Sequence, residues 1–203
     1  EATNLTRVSC VLQQEALGLG HAVLMAKDLI RDEPFVVILP DDIISHSPGV
    51  ISQMVKVSED MEGGVIAVEM VAWDVVENYG VVAATEVYER VHRIQSLVEK
   101  PPREQAPSNL TIVGRYILPP EIFNILEETR PVARGEIQLT DALMTLLGDY
   151  ELFAYEFDGV RYDGGTPMGL LRASLASALD RKDTSQEAIA ILREFHNRAS
   201  ISE

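Results

Sequence analysis

The chain is poor in cysteine, in tryptophan and in basic residues. Its 203 residues include one Cys, one Trp, and 17 Lys and Arg against 32 Asp and Glu, giving a formal net charge of −15. The single cysteine excludes an internal disulfide and predicts a reducing cytoplasm. The acidic balance argues against a nucleic-acid partner and against an anionic membrane surface. Apolar runs fall short of the roughly 18 residues that a transmembrane helix needs.

Cys10 lies in the stretch "RVSCVLQQ". This stretch is rich in residues that favour strands, and nothing near the thiol would lower its pKa. We therefore expect Cys10 to be a small buried strand residue rather than a nucleophile.

Hydrophobic residues make up 46% of the chain, with 10 Pro and 13 Gly, which is typical of one folded domain. The patterns predict strands at 7–14, 34–39 and 64–71 and helices at 18–30 and 48–61. This is a β-α-β order, and its continuous apolar strands predict a sheet covered on both faces. We expect an α/β fold with a Rossmann-like, doubly wound mixed sheet, in one domain over residues 1–203.

The second half of the chain has a different pattern. Residues 78–118 contain three strand-like stretches with little helix between them, which predicts a smaller antiparallel layer. Helices are expected at 120–129 and 140–148, and a pair of strands within 151–165. A helix over 184–200 has capping-box spacing and an apolar stripe, so we expect it to pack on a partner surface; the stripe comprises Ala188, Ile191, Leu192 and Phe195.

Two acidic positions are candidate metal ligands. Asp41 and Asp42 follow the strand predicted at 34–39 after a single proline, and ligands of open α/β sheets bind at the carboxyl ends of strands. Two neighbouring carboxylates repel each other, and a hard cation such as Mg²⁺ relieves the repulsion. Asp163, in "RYDGGT", is the second candidate. On pattern alone, an aspartate pair or an Asp-Gly step is more often an ordinary turn.

Two further stretches have unusual local chemistry. In "LGLGHA" (17–22), two glycines at a helix start leave bare backbone for a ligand, although a tight turn explains them equally well. In "VEKPP" (98–102), Glu99 and Lys100 stand at a strand end, where strand periodicity predicts side chains on opposite sides. A solvated sheet edge is the alternative there.

These stretches resemble those of a known family when they are taken together with "NYGVV", "SNLTIVGRYIL", "GEIQLTDAL" and "AYEFDGVRYDGG". The family is the bacterial UTP–glucose-1-phosphate uridylyltransferases, within the sugar-1-phosphate nucleotidyltransferases. The resemblance covers nearly the whole chain. It implies a fold of the nucleotidyltransferase or glycosyltransferase-A type and transfer of a uridylyl group from UTP to glucose 1-phosphate, which yields UDP-glucose and pyrophosphate. It also implies a homo-oligomer.

The resemblance implies roles for single residues on the nucleotide side. Gln13, Gly18 and Gly20 match the uracil-recognising segment, and a side-chain amide can read an imide edge. Asp41 and Asp163 match the carboxylates that hold Mg²⁺ between the phosphates of the two substrates. Asp42 ranks below them, because the second acid of the pair varies in the family.

On the sugar side, Gly80 matches a backbone contact to the sugar. Glu99 would accept hydrogen bonds from glucose hydroxyls, and Lys100 would pair with the sugar phosphate. The expected catalytic residues are thus Lys100, Asp41 and Asp163. Two residues in family motifs, Asn109 and Glu136, have no assigned role.

Three other interpretations stay open. A thymidylyltransferase-type relative would share the core motifs, and a glycosyltransferase would also place acids after a strand to hold a metal and a nucleotide. The third is a sugar-nucleotide-binding or assembly module without chemistry.

One family feature is missing from these 203 residues. Members begin with a strand and a loop of the form Gly-x-Gly-Thr-Arg, with a lysine beyond it, around the triphosphate. The stretches "GGVIAV" at 63 and "GGTPMG" at 164 have glycines but lack the arginine. We therefore expect the domain to be incomplete at its N-terminus, inactive as this span alone, and to expose one face of strands such as "FVVIL".

Overall fold

The computed structural model describes residues 6–131 and 135–200, with side chains to residue 198. The chain divides into two compact units: the first within residues 1–38 and 51–157, the second within 39–50 and 158–203. The helices are α1 (Gly18–Leu24), α2 (Val50–Met61), α3 (Ile122–Glu128), α4 (Leu139–Leu146), α5 (Pro167–Asp180) and α6 (Ser185–Ser200). One domain over the whole chain stays a prediction.

The strands form two sheets. They are β1 (Phe35–Ile38), β2 (Asp42–Ser45), β3 (Gly64–Met70), β4 (Gly80–Tyr88), β5 (Val91–Glu99), β6 (Leu110–Leu118), β7 (Leu152–Glu156) and β8 (Val160–Asp163). The first unit holds a six-stranded sheet in the order β1-β6-β3-β7-β5-β4. Among the described strands of this sheet, only β3 and β7 run parallel, so the sheet is mixed, which confirms the predicted fold class.

Burial is greatest in the interior strands of the sheet. The apolar run Val65–Val68 of β3 is wholly inaccessible, and this strand is an interior one, paired with β6 along one edge and β7 along the other. At the sheet edge, β1 alternates instead: Phe35 and Val37 are half-buried, while Val36 and Ile38 are exposed. One exposed face is what we expected of this strand.

The second unit joins a two-stranded antiparallel sheet, β2 with β8, to the helices α5 and α6. Thr166 caps α5, its hydroxyl accepting from the Gly169 amide at 3.1 Å, and Pro167 occupies the first turn. On α6, Ala188 is buried, whereas Ile191, Leu192 and Phe195 are exposed. The homo-oligomer stays a prediction, which the solution mass with and without the residues after Lys182 would test.

Three sequence predictions are wrong. Residues 7–14 form no strand, because strand propensity needs a neighbouring strand to pair with and the described residues supply none here. Cys10 is accordingly exposed rather than buried. The stretches within 78–118 are strands, but they belong to the main sheet; the small antiparallel layer is β2 with β8.

The strands predicted within 151–165 exist as β7 and β8 but do not pair with each other. β7 joins the main sheet beside β3 and β5, whereas β8 pairs with β2. Within residues 6–131 and 135–200, none of the helices combines the length and the apolar character needed to cross a membrane.

Candidate active site

The first turn of α1 fixes the orientation of the Gln13 amide. The Gln13 Nε2 group donates to the Gly18 carbonyl at 3.2 Å and lies 3.0 Å from Nδ1 of His21. Both partners are acceptors when the His21 ring proton is on Nε2. The Gln13 Oε1 atom is then the acceptor end of the amide, which suits the N–H group of an imide. Gln13 is a residue expected from the sequence, whereas the part of His21 in orienting its amide was not predicted.

Gly18 and Gly20 are needed because a second loop presses against the start of α1. The Gly20 amide donates to the Ile137 carbonyl at 2.9 Å, and the Ile137 amide donates to the Leu17 carbonyl at 2.7 Å. A β-carbon on Gly18 or Gly20 would lie 2.9 or 2.8 Å from the Ile137 oxygen, and Gly18 has φ of +90°. Backbone packing therefore requires both glycines before any ligand is considered.

At the end of β5 in the first unit, Glu99 lies between two neighbours. It is the last residue of β5, directly opposite Gly80 at the start of β4. The Thr140 hydroxyl donates to Glu99 Oε2 at 2.7 Å. A β-carbon on Gly80 would lie 3.2 Å from the same oxygen. Gly80 and Glu99 are residues expected from the sequence, whereas Thr140 was not predicted.

Lys100 lies on the same side as Glu99, which makes the predicted opposite orientation wrong. The Lys100 Nζ atom is 3.6 Å from Glu99 Oε1. The reason is that β5 ends at Glu99 and Lys100 has a φ of +43°, so strand alternation stops there. This left-handed conformation is unfavourable for a lysine, and such strain is often found at functional sites.

The negative charge of the Glu99 carboxylate affects Asp141, a residue of α4. The pKa of Asp141 is raised above its ordinary value, first because the carboxyl is partly buried and second because Glu99 is close. The Thr140 donor and the Lys100 ammonium oppose that repulsion. Five residues thus form a compact cluster around this carboxylate within the first unit, and we call it the Glu99 cluster: Gly80, Glu99, Lys100, Thr140 and Asp141.

The segment 136–140 contacts both the start of α1 and the Glu99 cluster. Ile137 bonds to the start of α1, and Thr140 bonds to Glu99. Glu136, which lacked a role, accepts from the Gln138 amide at 2.8 Å and packs beside Gly18. Asn109 instead has a structural part, because its amide group donates to the Val71 carbonyl at 2.7 Å and ties the end of β3 to the start of β6.

In the second unit, Asp41 and Asp163 lie on either side of one glycine. A β-carbon on Gly165 would be 3.1 Å from Asp163 Oδ1 and 3.6 Å from Asp41 Oδ2. The Gly165 amide donates to Asp163 Oδ1 at 3.0 Å, and the Gly164 amide donates to the Asp41 carbonyl at 2.6 Å. The two predicted ligands are thus brought together around a position without a side chain.

The described residues contain no cluster of three or more acidic, histidine or cysteine side chains placed to hold a metal. Two carboxylates are nevertheless enough for Mg²⁺, which commonly takes its other ligands from substrate phosphates and water. The donor set of Asp41 and Asp163 therefore fits this ion.

Asp42 does not share this arrangement, so the prediction that the aspartate pair faces a metal is wrong for its second member. Asp42 is buried at the start of β2, opposite Asp163, and its carboxylate pairs with the Arg161 guanidinium. Two like charges across a sheet repel, and Arg161, two residues before Asp163, supplies the opposite charge. The sequence offered no signal that would pair positions 119 residues apart.

Comparison with known proteins places these features in a family. Residues 1–179 match the family described as "Nucleotidyl transferase". The UTP–glucose-1-phosphate uridylyltransferase of Staphylococcus haemolyticus is 40% identical over 194 residues, which are 96% of this chain and 67% of that protein.

Two solved structures of related proteins are similar to this chain in sequence and in fold. A crystal structure of UDP-glucose pyrophosphorylase complexed with UDP-glucose is 46% identical with a TM-score of 0.81, covering 85% of this chain and 66% of that one. A UTP-bound UGPase from Acinetobacter baumannii is 36% identical with a TM-score of 0.80, covering 90% and 64%. The chain thus spans about two thirds of the length of these relatives.

The resemblance inferred from the motifs is confirmed by these matches. Nucleotidyltransferases of this kind generally use a divalent metal ion. The chain belongs to the nucleotidyl transferase family and, within it, to the UTP–glucose-1-phosphate uridylyltransferases, a group of enzymes.

Proposed function

We propose that the protein carrying this chain transfers the uridylyl group of UTP to glucose 1-phosphate, giving UDP-glucose and pyrophosphate. The observation that carries the proposal is the Glu99 cluster, in which a carboxylate and an ammonium lie 3.6 Å apart at a strand end. A sugar phosphate offers the matching groups, hydroxyls for Glu99 and a phosphate for Lys100. Relatives bound to UDP-glucose and to UTP support the same substrates.

For the nucleotide, we assign Gln13, Gly18 and Gly20 to uracil recognition. With its Nε2 group directed to Gly18 and His21, Gln13 presents Oε1 to the N3–H of the base. Gly18 and Gly20 contribute by letting the Ile137 backbone pack against the start of α1, where the Gly18 carbonyl accepts from the Gln13 amide. On the sugar side, the Gly80 backbone would contact the glucose ring.

We assign Mg²⁺ to Asp41 and Asp163 in the second unit, because both carboxylates border Gly165. When bound, this ion neutralises phosphate charge. The chain's own residues bind the two substrates and orient them toward each other. A phosphate monoester is already an anionic nucleophile, so no general base is needed, and holding the attacking oxygen near the α-phosphorus is the main requirement.

The nucleotide preference is the part of this proposal that a thymidylyltransferase would not share. Initial rates of pyrophosphate release should be measured for the intact protein with glucose 1-phosphate and, in turn, UTP, dTTP, CTP, ATP and GTP. We expect UTP to be the preferred donor. A preference for dTTP would favour the thymidylyltransferase interpretation. Sugar transfer from UDP-glucose to an acceptor, without reaction of UTP, would favour a glycosyltransferase.

Replacing Lys100 by alanine should weaken use of glucose 1-phosphate far more than use of UTP. Loss of the ammonium removes a charge-assisted contact to the sugar phosphate, so we expect KM for glucose 1-phosphate to rise by about 10-fold or more. Alanine keeps the β-carbon, so the strained backbone at this position changes little. Steady-state kinetics with each substrate varied in turn will measure the split.

Lys56→Ala is the matched control, because Lys56 is an exposed lysine on α2 of the same chain. It should leave both KM values unchanged. Equal losses for both substrates in Lys100→Ala would contradict the assignment of Lys100 to the sugar phosphate.

A further inference from the structure

We propose that Thr140 is a positioning residue for sugar recognition, acting through Glu99. This inference rests on the proposed function, because it assumes that Glu99 accepts hydrogen bonds from the sugar. Thr140 is the second residue of α4 and is 7% exposed. Its hydroxyl spans 41 residues of sequence to donate to Glu99 Oε2 at 2.7 Å.

The two oxygens of Glu99 have different surroundings. Oε2 receives the Thr140 hydroxyl and faces Gly80, whose missing side chain leaves room for it. Oε1 lies 3.6 Å from Lys100 Nζ. Thr140 therefore holds one oxygen and leaves the other on the side of the cation that would meet the sugar phosphate.

Such a contact matters because glutamate is a flexible side chain. Freezing its rotamers on binding costs free energy, and a group that is already held does not lose that freedom again. The Glu99 side chain is 26% exposed, so packing alone does not immobilise it. The carboxylate also lies near Asp141, whose like charge would otherwise push it away.

The alternative is that Thr140 only stabilises the start of α4. A threonine hydroxyl in a helix usually bonds to a carbonyl of the preceding turn, as Thr145 does with the Asp141 carbonyl at 3.2 Å. Thr140 instead bonds to the Glu99 side chain. A helix-stabilising role would not depend on Glu99, and this difference makes the two interpretations separable.

The test is a double-mutant cycle of Thr140→Val and Glu99→Ala in the intact protein, read by steady-state kinetics. Valine keeps the shape of threonine and removes the donor. We expect Thr140→Val to raise KM for glucose 1-phosphate by about 10-fold, with kcat and KM for UTP nearly unchanged. Thr140→Ser, which keeps the hydroxyl, should restore most of the loss. In the Glu99→Ala background, Thr140→Val should have no further effect.

Each other outcome overturns a distinct claim. If Glu99→Ala leaves KM for glucose 1-phosphate unchanged, the sugar role of Glu99 in the proposed function is wrong, and this inference falls with it. If Glu99→Ala weakens sugar use but Thr140→Val does not, only the positioning role is wrong. If Thr140→Val loses as much in the Glu99→Ala background, or lowers the unfolding midpoint and raises KM for UTP equally, Thr140 is structural. Thr145→Val, in the same helix, is the control and should match the wild type.

Discussion

Replacing Asp163 by asparagine should lower kcat by about 100-fold or more while the fold persists. Asp163 and Asp41 both border Gly165, and each supplies one negative charge to the proposed Mg²⁺ site. Asparagine keeps the size of the aspartate side chain and one of its oxygens but loses the charge. Asp41→Asn should have an effect of the same order. Rates measured over a range of Mg²⁺ concentrations will show whether a higher concentration is needed.

A readout independent of turnover is the binding of Mn²⁺, which electron paramagnetic resonance can follow. Both variants should bind this ion more weakly than the wild type. Asp180→Asn is the matched control, since Asp180 is an exposed aspartate of the same unit and its replacement makes the same charge change. If either site variant turns over at nearly the normal rate in Mg²⁺, that residue is not a ligand.

Replacing Arg161 by methionine should destabilise the second unit by about 3 kcal/mol. The side chains of Asp42 and Arg161 are only 11% and 12% exposed, so the variant leaves a largely buried carboxylate without its arginine. Chemical denaturation, followed by a probe in the second unit, will measure the loss. Because Asp42 lies opposite Asp163 on the β2–β8 ladder, we also expect weaker Mn²⁺ binding.

The double variant Arg161→Met with Asp42→Leu separates the charge from the packing. Apolar replacement of both members of a buried ion pair is often neutral, so this variant should recover most of the lost stability. A double variant as unstable as Arg161→Met alone would show that the buried charge is not the cause. A single variant as stable as the wild type would show that the pair contributes little.

The sequence predicted the elements whose signal is local. The strand predicted at 64–71 from a continuous apolar run and the helix predicted at 48–61 from helical periodicity occur as β3 (Gly64–Met70) and α2 (Val50–Met61). It did not predict β2, which is four residues long and pairs with residues 160–163, more than a hundred positions away. The strand expected at 7–14 failed for the converse reason, since its local propensity has no partner among the described residues.

The difference between local sequence signals and long-range contacts also applies to the candidate site residues. The resemblance of short motifs to those of the family predicted Gln13, Gly80, Glu99, Asp41 and Asp163 as site residues. The remaining features of the site are side-chain contacts that form only in the folded chain. The positive φ of Lys100 turns its side chain toward Glu99, Arg161 balances the charge of Asp42, and Thr140 reaches Glu99 from α4. The contacts of Arg161 and Thr140 join positions 119 and 41 residues apart, so they have no periodic or local signature.

The most direct test of the account is a ³¹P NMR spectrum of the intact protein with UTP, glucose 1-phosphate and Mg²⁺, recorded over time. We predict that the signals of UDP-glucose and pyrophosphate grow in equal amounts while those of UTP and glucose 1-phosphate fall. An unchanged spectrum, or the appearance of UMP and pyrophosphate without UDP-glucose, would contradict uridylyl transfer to the sugar phosphate.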